Sequence, residues 1–163
     1  VLLRVVVTLL LLVVPAGCAG DPPEPAAPDK TSPAAVTAKL DRVLRYDFEG
    51  SFAGVEEHDG RIIVYRVPSV NLDNRVYREA GEIPVDYRDA KYSIKDMHGA
   101  IGRIRTDDAA LRARGVVVMG LAATKDGSGI AISTALGNDH DRAVLTERYP
   151  DLDFTLAPAA PKS

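Results

Sequence analysis

Cysteine occurs once in the 163 residues, tryptophan not at all, and Phe and Tyr together make up only 6%. With Cys18 alone, no disulfide can form within the chain, so whatever folds here depends on an apolar core rather than on cross-links. An excess of one charge is missing too: 20 Lys and Arg stand against 23 Asp and Glu, interspersed along the chain. A nucleic-acid or strongly anionic partner would call for clustered basic residues, so neither is expected. Long apolar runs are equally scarce. The charge-free stretch Val5–Val14 is about half of the roughly 20 residues that a spanning helix needs, and Pro15 closes it.

What is present at the N-terminus has the three parts of an export signal: Arg4, the short apolar run, and the small residues Ala16 and Gly17 before Cys18. The leading Val is compatible with a valine-coded start. Ala16-Gly17-Cys18 resembles the lipobox of bacterial lipoproteins, although Pro15 stands where that family prefers Leu, Val or Ile. The resemblance implies a diacylglyceryl lipid on the Cys18 thiol and a location on the outer face of the cell membrane. An ordinary secretory signal cut after Ala19 is the alternative, and an uncleaved anchor a third. Residues 19–31, rich in Pro and polar side chains, bury nothing and read as a tether. In an extended polyproline conformation at ~3.1 Å per residue, the stretch from Cys18 to Ser32 reaches on the order of 40 Å.

Residues 32–157 are enough for one domain, followed by a tail expected to be disordered from 158 to 163. Two stretches within it, about 52–88 and 116–156, can be superposed at an offset of 67: Asp59-Gly60 on Asp126-Gly127, Ile63 on Ile130, Asn71 on Asn138, Arg75 on Arg142, and Asp86-Tyr87 on Asp153-Phe154. Each reads as strand, strand, helix, strand. The Asp-Gly pairs mark hairpin turns, Asn71 and Asn138 are placed to cap the helices, and Gly81 to end the first of them. Ahead of the first copy, Ser32-Pro33 opens a helix whose apolar face is Val36, Leu40, Val43 and Leu44. Between the copies, Ser93 and Asp96 start a helix carrying Ile94, Met97, Ile101, Ile104 and Leu111 up to Gly115, with a break possible at Thr106-Asp107. The expected fold is α+β, an antiparallel sheet with helices on one face, built from two degenerate strand-strand-helix-strand repeats. A ferredoxin-like order and two split units sharing one sheet both satisfy this pattern.

The segments Tyr87–Met97 and Ala110–Gly120 resemble parts of actinobacterial secreted proteins, among them small lipoproteins and the non-catalytic N-terminal regions of trypsin-like serine proteases. The protease nucleophile motif is missing, and Lys125-Asp126-Gly127-Ser128-Gly129 only echoes it, as a turn would. The resemblance implies a partner or inhibitor of a secreted protease as one version of the function.

Chemistry-bearing residues are few. Asn138-Asp139-His140-Asp141 is the densest group: His140 suits a general base or a metal ligand, whereas the same residues in a structural role cap a helix and complement its dipole. His58 could approach His140 from the other copy, and Ser128, His140 and Asp126 make a triad on paper. Arg75 and Arg142, at matching positions, could pair on a carboxylate or phosphate, or bridge to Asp73, Glu79, Asp139 or Glu147. Tyr46, Phe48 and Phe52 are expected to face the core. No cofactor and no metal site is implied. The expectation is therefore a non-enzymatic, membrane-tethered interaction module of the cell envelope, its partner an envelope or secreted protein. A small metal-dependent or hydrolytic enzyme using His140 is the competing class.

Overall fold

Ser32 turns the chain into its first helix by accepting a hydrogen bond from the Ala35 N–H, with Pro33 at the first helical position, where its missing donor costs nothing. In the computed structural model, which describes residues 31–160, this helix α1 (Pro33–Asp47) buries Val36, Leu40 and Leu44. Their partners come from the hairpin of β1 (Phe52–His58) and β2 (Arg61–Arg66), closed by Asp59-Gly60 with φ of 51° and 74°. Both angles are positive, as the favoured two-residue hairpin turn requires. Helix α2 (Val70–Ala80) follows and ends at Gly81, and the chain returns as β3 (Val85–Asp89).

The second half repeats this order. Ser93 and Asp96 form a capping box at the start of α3 (Ile94–Thr106), and a break at Asp107 separates it from α4 (Asp108–Ala113). Then come β4 (Val118–Ala123), β5 (Ile130–Thr134), α5 (Asp139–Arg148) and β6 (Phe154–Pro158). The expected tail begins late: Pro158 belongs to β6, and the Ala159 N–H donates to the Thr134 carbonyl. Export signal, Cys18 and tether up to residue 30 lie outside the described residues, as do residues 161–163. Among the described residues no helix is long and apolar enough to cross a membrane.

The fold is α+β, but the single antiparallel sheet is corrected. The described residues form two three-stranded mixed sheets, β1-β2-β3 and β4-β5-β6. The hairpin strands pair antiparallel, while β2 with β3 and β5 with β6 pair parallel. The reason is connectivity: a tight turn reverses the chain, whereas a crossover through a helix brings it back to the end it left. Neither the ferredoxin-like order nor a shared sheet is formed.

The uniform offset is corrected as well. Pairing makes Gly54, opposite Tyr65, equivalent to Gly120, opposite Ser133, a spacing of 66. It makes Ile62, opposite Val85, equivalent to Ile130, opposite Phe154, a spacing of 68. The second turn is thus two residues longer, and Ile63 lies on the opposite face of its sheet from Ile62. Ser69, not Asn71, caps α2 by accepting from the Leu72 N–H, so its counterpart is Asn138, 69 residues on. Buried Leu72, Val76 and Ala80 then match Asp141, Leu145 and Tyr149.

Each sheet carries its helices on one face. Phe52, Val55, Ile62 and Val64 join Val36, Leu40, Leu44, Leu72 and Val76 in the first core. Ile130 and Ile132 join Met97, Ile101, Ile104, Leu111, Val144 and Leu145 in the second, to which the first half contributes Ala53 and, partly buried, Tyr65. The tip of the second hairpin locks the halves together. Gly127 accepts from the Tyr92 N–H, and a Cβ there would come within 2.5 Å of Ala90 Cβ and 2.8 Å of Ala53 Cβ. Only glycine fits such a contact at a φ of 66°.

Candidate functional site

The structure disperses the residues singled out by sequence. His140, in the first turn of α5, is exposed, and its Nε2 lies 2.9 Å from the Arg114 carbonyl oxygen, linking α5 to the end of α4. His58 sits at the first hairpin turn, 3.3 Å from Asp59. Ser128 and Asp126 bond each other within the second turn, the hydroxyl donating to the carboxylate at 2.8 Å. The Ser128 N–H and hydroxyl together hold the Asp126 carboxyl below the usual carboxylate range. That turn and His140 lie at opposite ends of the five-residue β5, roughly 16 Å apart at the usual rise, so the paper triad does not assemble. Among the described residues no three His, Cys, Asp or Glu side chains gather as a metal ion would need.

Arg75 and Arg142 are not equivalent, because the helix spacing is 69: Arg75 matches buried Val144, and Arg142 matches Asp73. Arg75 ion-pairs with Glu79 at 3.1 Å and with Asp47 at 4.0 Å, while Asp73 is taken by Arg66. Arg142 is exposed, with its guanidinium 6.0 Å from the centre of the Phe154 ring. Each is engaged within its own half. Of the three aromatics, Phe52 is fully buried and Phe48 partly so, but Tyr46 is 87% exposed.

Asp141, in the first turn of α5 where a carboxylate complements the helix dipole, is also buried, 1% exposed. Its Oδ2 accepts from the Thr134 hydroxyl at 2.6 Å and the Gly137 N–H at 3.1 Å, while Oδ1 has no partner among the described residues. It closes the loop from β5 to α5. Asp107 does the same between α3 and the end of α5, accepting from Arg148 Nε at 3.0 Å and the Tyr149 hydroxyl at 2.9 Å. Those donors depress the Asp107 carboxyl, whereas burial and then the Asp107 contact push the Tyr149 phenol up to about 12.

A groove that sequence reasoning missed runs between α3 and β4. It comprises two adjoining hollows of about 310 and 350 Å³, which share Arg105 and Leu121. His98, Gly102, Arg105 and the apolar Ile101 and Ile104 form the helical wall, and β4 from Val118 to Ala123 forms the other. Consecutive β4 residues line it because β4 is the outer strand of its sheet and is approached edge-on. The Thr124 N–H donates to the Gly129 carbonyl and the Ile130 N–H turns away to Asp153. By antiparallel alternation, the N–H and C=O groups of Leu121 and Ala123 therefore point out of the open edge. No hydrogen bond among the described residues fills them.

The charges in the groove are unbalanced. Arg105 and His98 are exposed and make no ion pair or hydrogen bond among the described residues, while the nearby Asp108 is held by Arg112 at 2.7 Å. Met119, 53% exposed, adds an apolar side chain at one end. The sequence did carry a signal: Val116–Thr124 is a nine-residue stretch without a charge that opens on three consecutive valines. No protein-family model, no curated protein and no solved structure matches this chain.

Proposed function

We propose that this chain is a non-enzymatic interaction module of a bacterial cell envelope, tethered through a lipid on Cys18, whose contact surface is the groove between α3 and β4. The duplicated order of elements, with the same strand pairing in both halves, supports two degenerate copies of one unit, the second of which carries the working surface. One observation carries the reading: of the four outer strands among the described residues, β4 alone is neither charged nor closed by proline. Strand β1 has Glu56, Glu57 and His58; β3 has Asp86, Arg88 and Asp89; β6 ends in Pro158. Open edges are aggregation hazards that proteins normally blunt in these ways, so one left bare beside a groove is consistent with use.

The test compares capture of envelope and culture proteins by the full chain with capture by its Ala122→Lys variant, which guards the edge at an exposed position. A partner retained by the native chain and lost by the variant is expected. Identical capture by both, or none by either, counts against the groove. Tethering is tested separately by mass spectrometry of the mature N-terminus, where a chain starting after Ala19 without lipid removes the anchor. A secreted protease as the partner rests on the resemblance of residues 87–97 and 110–120 alone.

A further inference from the structure

We infer that the groove binds an extended polypeptide segment that adds to β4 as a fourth strand and places an acidic side chain on Arg105. The inference rests on the binding role proposed above and specifies its mode and ligand chemistry. An incoming strand finds unfilled donors and acceptors at alternate residues, Leu121 and Ala123, which is the spacing that main-chain recognition requires. Alternate side chains of such a strand point to one side, here into the hollows between β4 and α3, whose floors are Ile101, Ile104 and Leu121. Between the two hollows stands Arg105, whose guanidinium offers a planar fork of donors to a carboxylate and is satisfied by no acid among the described residues.

The same charge argues against the other occupants. A second copy pairing β4 with β4 would bring two unpaired Arg105 side chains into one interface, with no free acid of the described residues beside them. The chain's own tether carries Asp21, Glu24 and Asp29, but its Pro22, Pro23, Pro25 and Pro28 lack the N–H groups that a ladder needs. An acidic segment of a partner, free of proline, meets both demands.

The experiment selects binders from a random heptapeptide library displayed on phage, using the full chain and its Arg105→Glu variant as baits. Enriched sequences are synthesised and their footprint read by hydrogen exchange. Arg105 is exposed on α3, so the charge reversal leaves the core intact. The native chain should enrich proline-poor peptides with an acidic residue, the variant should lose them in favour of basic ones, and bound peptide should slow exchange at the Leu121 and Ala123 amides. N-methylation of a ladder-facing peptide amide should weaken binding about tenfold, the loss of one hydrogen bond. Binding that survives N-methylation at every position, with protection still in the groove, overturns strand addition but keeps the groove as the site. Protection elsewhere, or no enrichment, overturns both. Protection of Leu121 and Ala123 that rises with protein concentration and needs no peptide assigns the edge to a second copy. Such protection, without peptide and independent of concentration, assigns it to the tether.

Discussion

Replacing Asp141 by Ala probes the least expected residue of the core. Its carboxylate occupies the place that Leu72 fills in the first half, and Oδ2 is the acceptor of the Thr134 hydroxyl and shares the Gly137 N–H with Thr134 Oγ1. In Asp141→Ala the Gly137 N–H keeps its 2.8 Å bond to Thr134, but the fully buried Thr134 hydroxyl loses its acceptor. Stranding a buried donor costs about 1–3 kcal/mol. The vacated volume adds roughly 1 kcal/mol, and removal of the unpaired Oδ1 returns part of it. A net loss of about 2–3 kcal/mol is expected, or roughly 10 °C in Tm for a domain of this size. The double variant Asp141→Leu with Thr134→Val removes the stranded hydroxyl and refills the volume, but it also takes both acceptors from the Gly137 N–H, so it should recover only part of the loss. Urea unfolding of the native, single and double variants measures this directly. If Asp141→Ala stays within about 0.5 kcal/mol of native, or if the double variant is no better than the single, the buried pair is not the closure we describe.

Gly127→Ala should destabilise markedly, since its Cβ would meet Ala53, Ala90 and the Tyr92 carbonyl, whereas Gly99→Ala, in open space on α3, should stabilise by about 0.5–1 kcal/mol; equal Tm shifts for the two would contradict the seating of the second hairpin. Tyr149 has a raised folded pKa, so its contribution is fully present below the unfolded value near 10 and is lost as pH rises through about 12. Alkaline unfolding followed by circular dichroism should therefore begin at lower stability in Tyr149→Phe below pH 10, with the difference from native vanishing toward pH 12. A difference constant across that range would separate Tyr149 from the effect. Asp107, held low by Arg148, contributes in the opposite sense: its share is present above the ordinary carboxylate pKa and fades as pH falls through the depressed one, so Asp107→Asn should flatten the acid limb of a stability-pH curve.

Features set by neighbours in sequence were legible. The Asp59-Gly60 turn, the Ser32-Pro33 start, the Ser93–Asp96 capping box and the break at Thr106-Asp107 all depend on residues within one turn of each other. The parallel partners of β2 and β5 were not, because pairing across a helix leaves no mark on either strand. The strand-helix-strand order was the available clue. Matching identical residue types put Asn71 against Asn138 and Arg75 against Arg142, and insertions in the turn and before the helix went unseen; burial, which equates Leu72 with Asp141, gives the true phase. The groove escaped for the same reason, since the bareness of β4 matters only once β4 is known to be an edge.

The seating of Gly127 between Ala53, Ala90 and Tyr92 makes the two halves unequal debtors. The first core draws only on residues up to Val85, whereas the second borrows Ala53, Tyr65, Ala90 and Tyr92 from chain that precedes it. Maturation then has a direction: the earlier half can complete itself, and the later half settles onto it as onto a template. A chain nicked between Asp89 and Lys91 should release an N-terminal piece that keeps its amide protection and a C-terminal piece that loses it. The strand offered to a partner thus belongs to the half whose order is conditional, so separating the halves should switch the binding surface off without touching it.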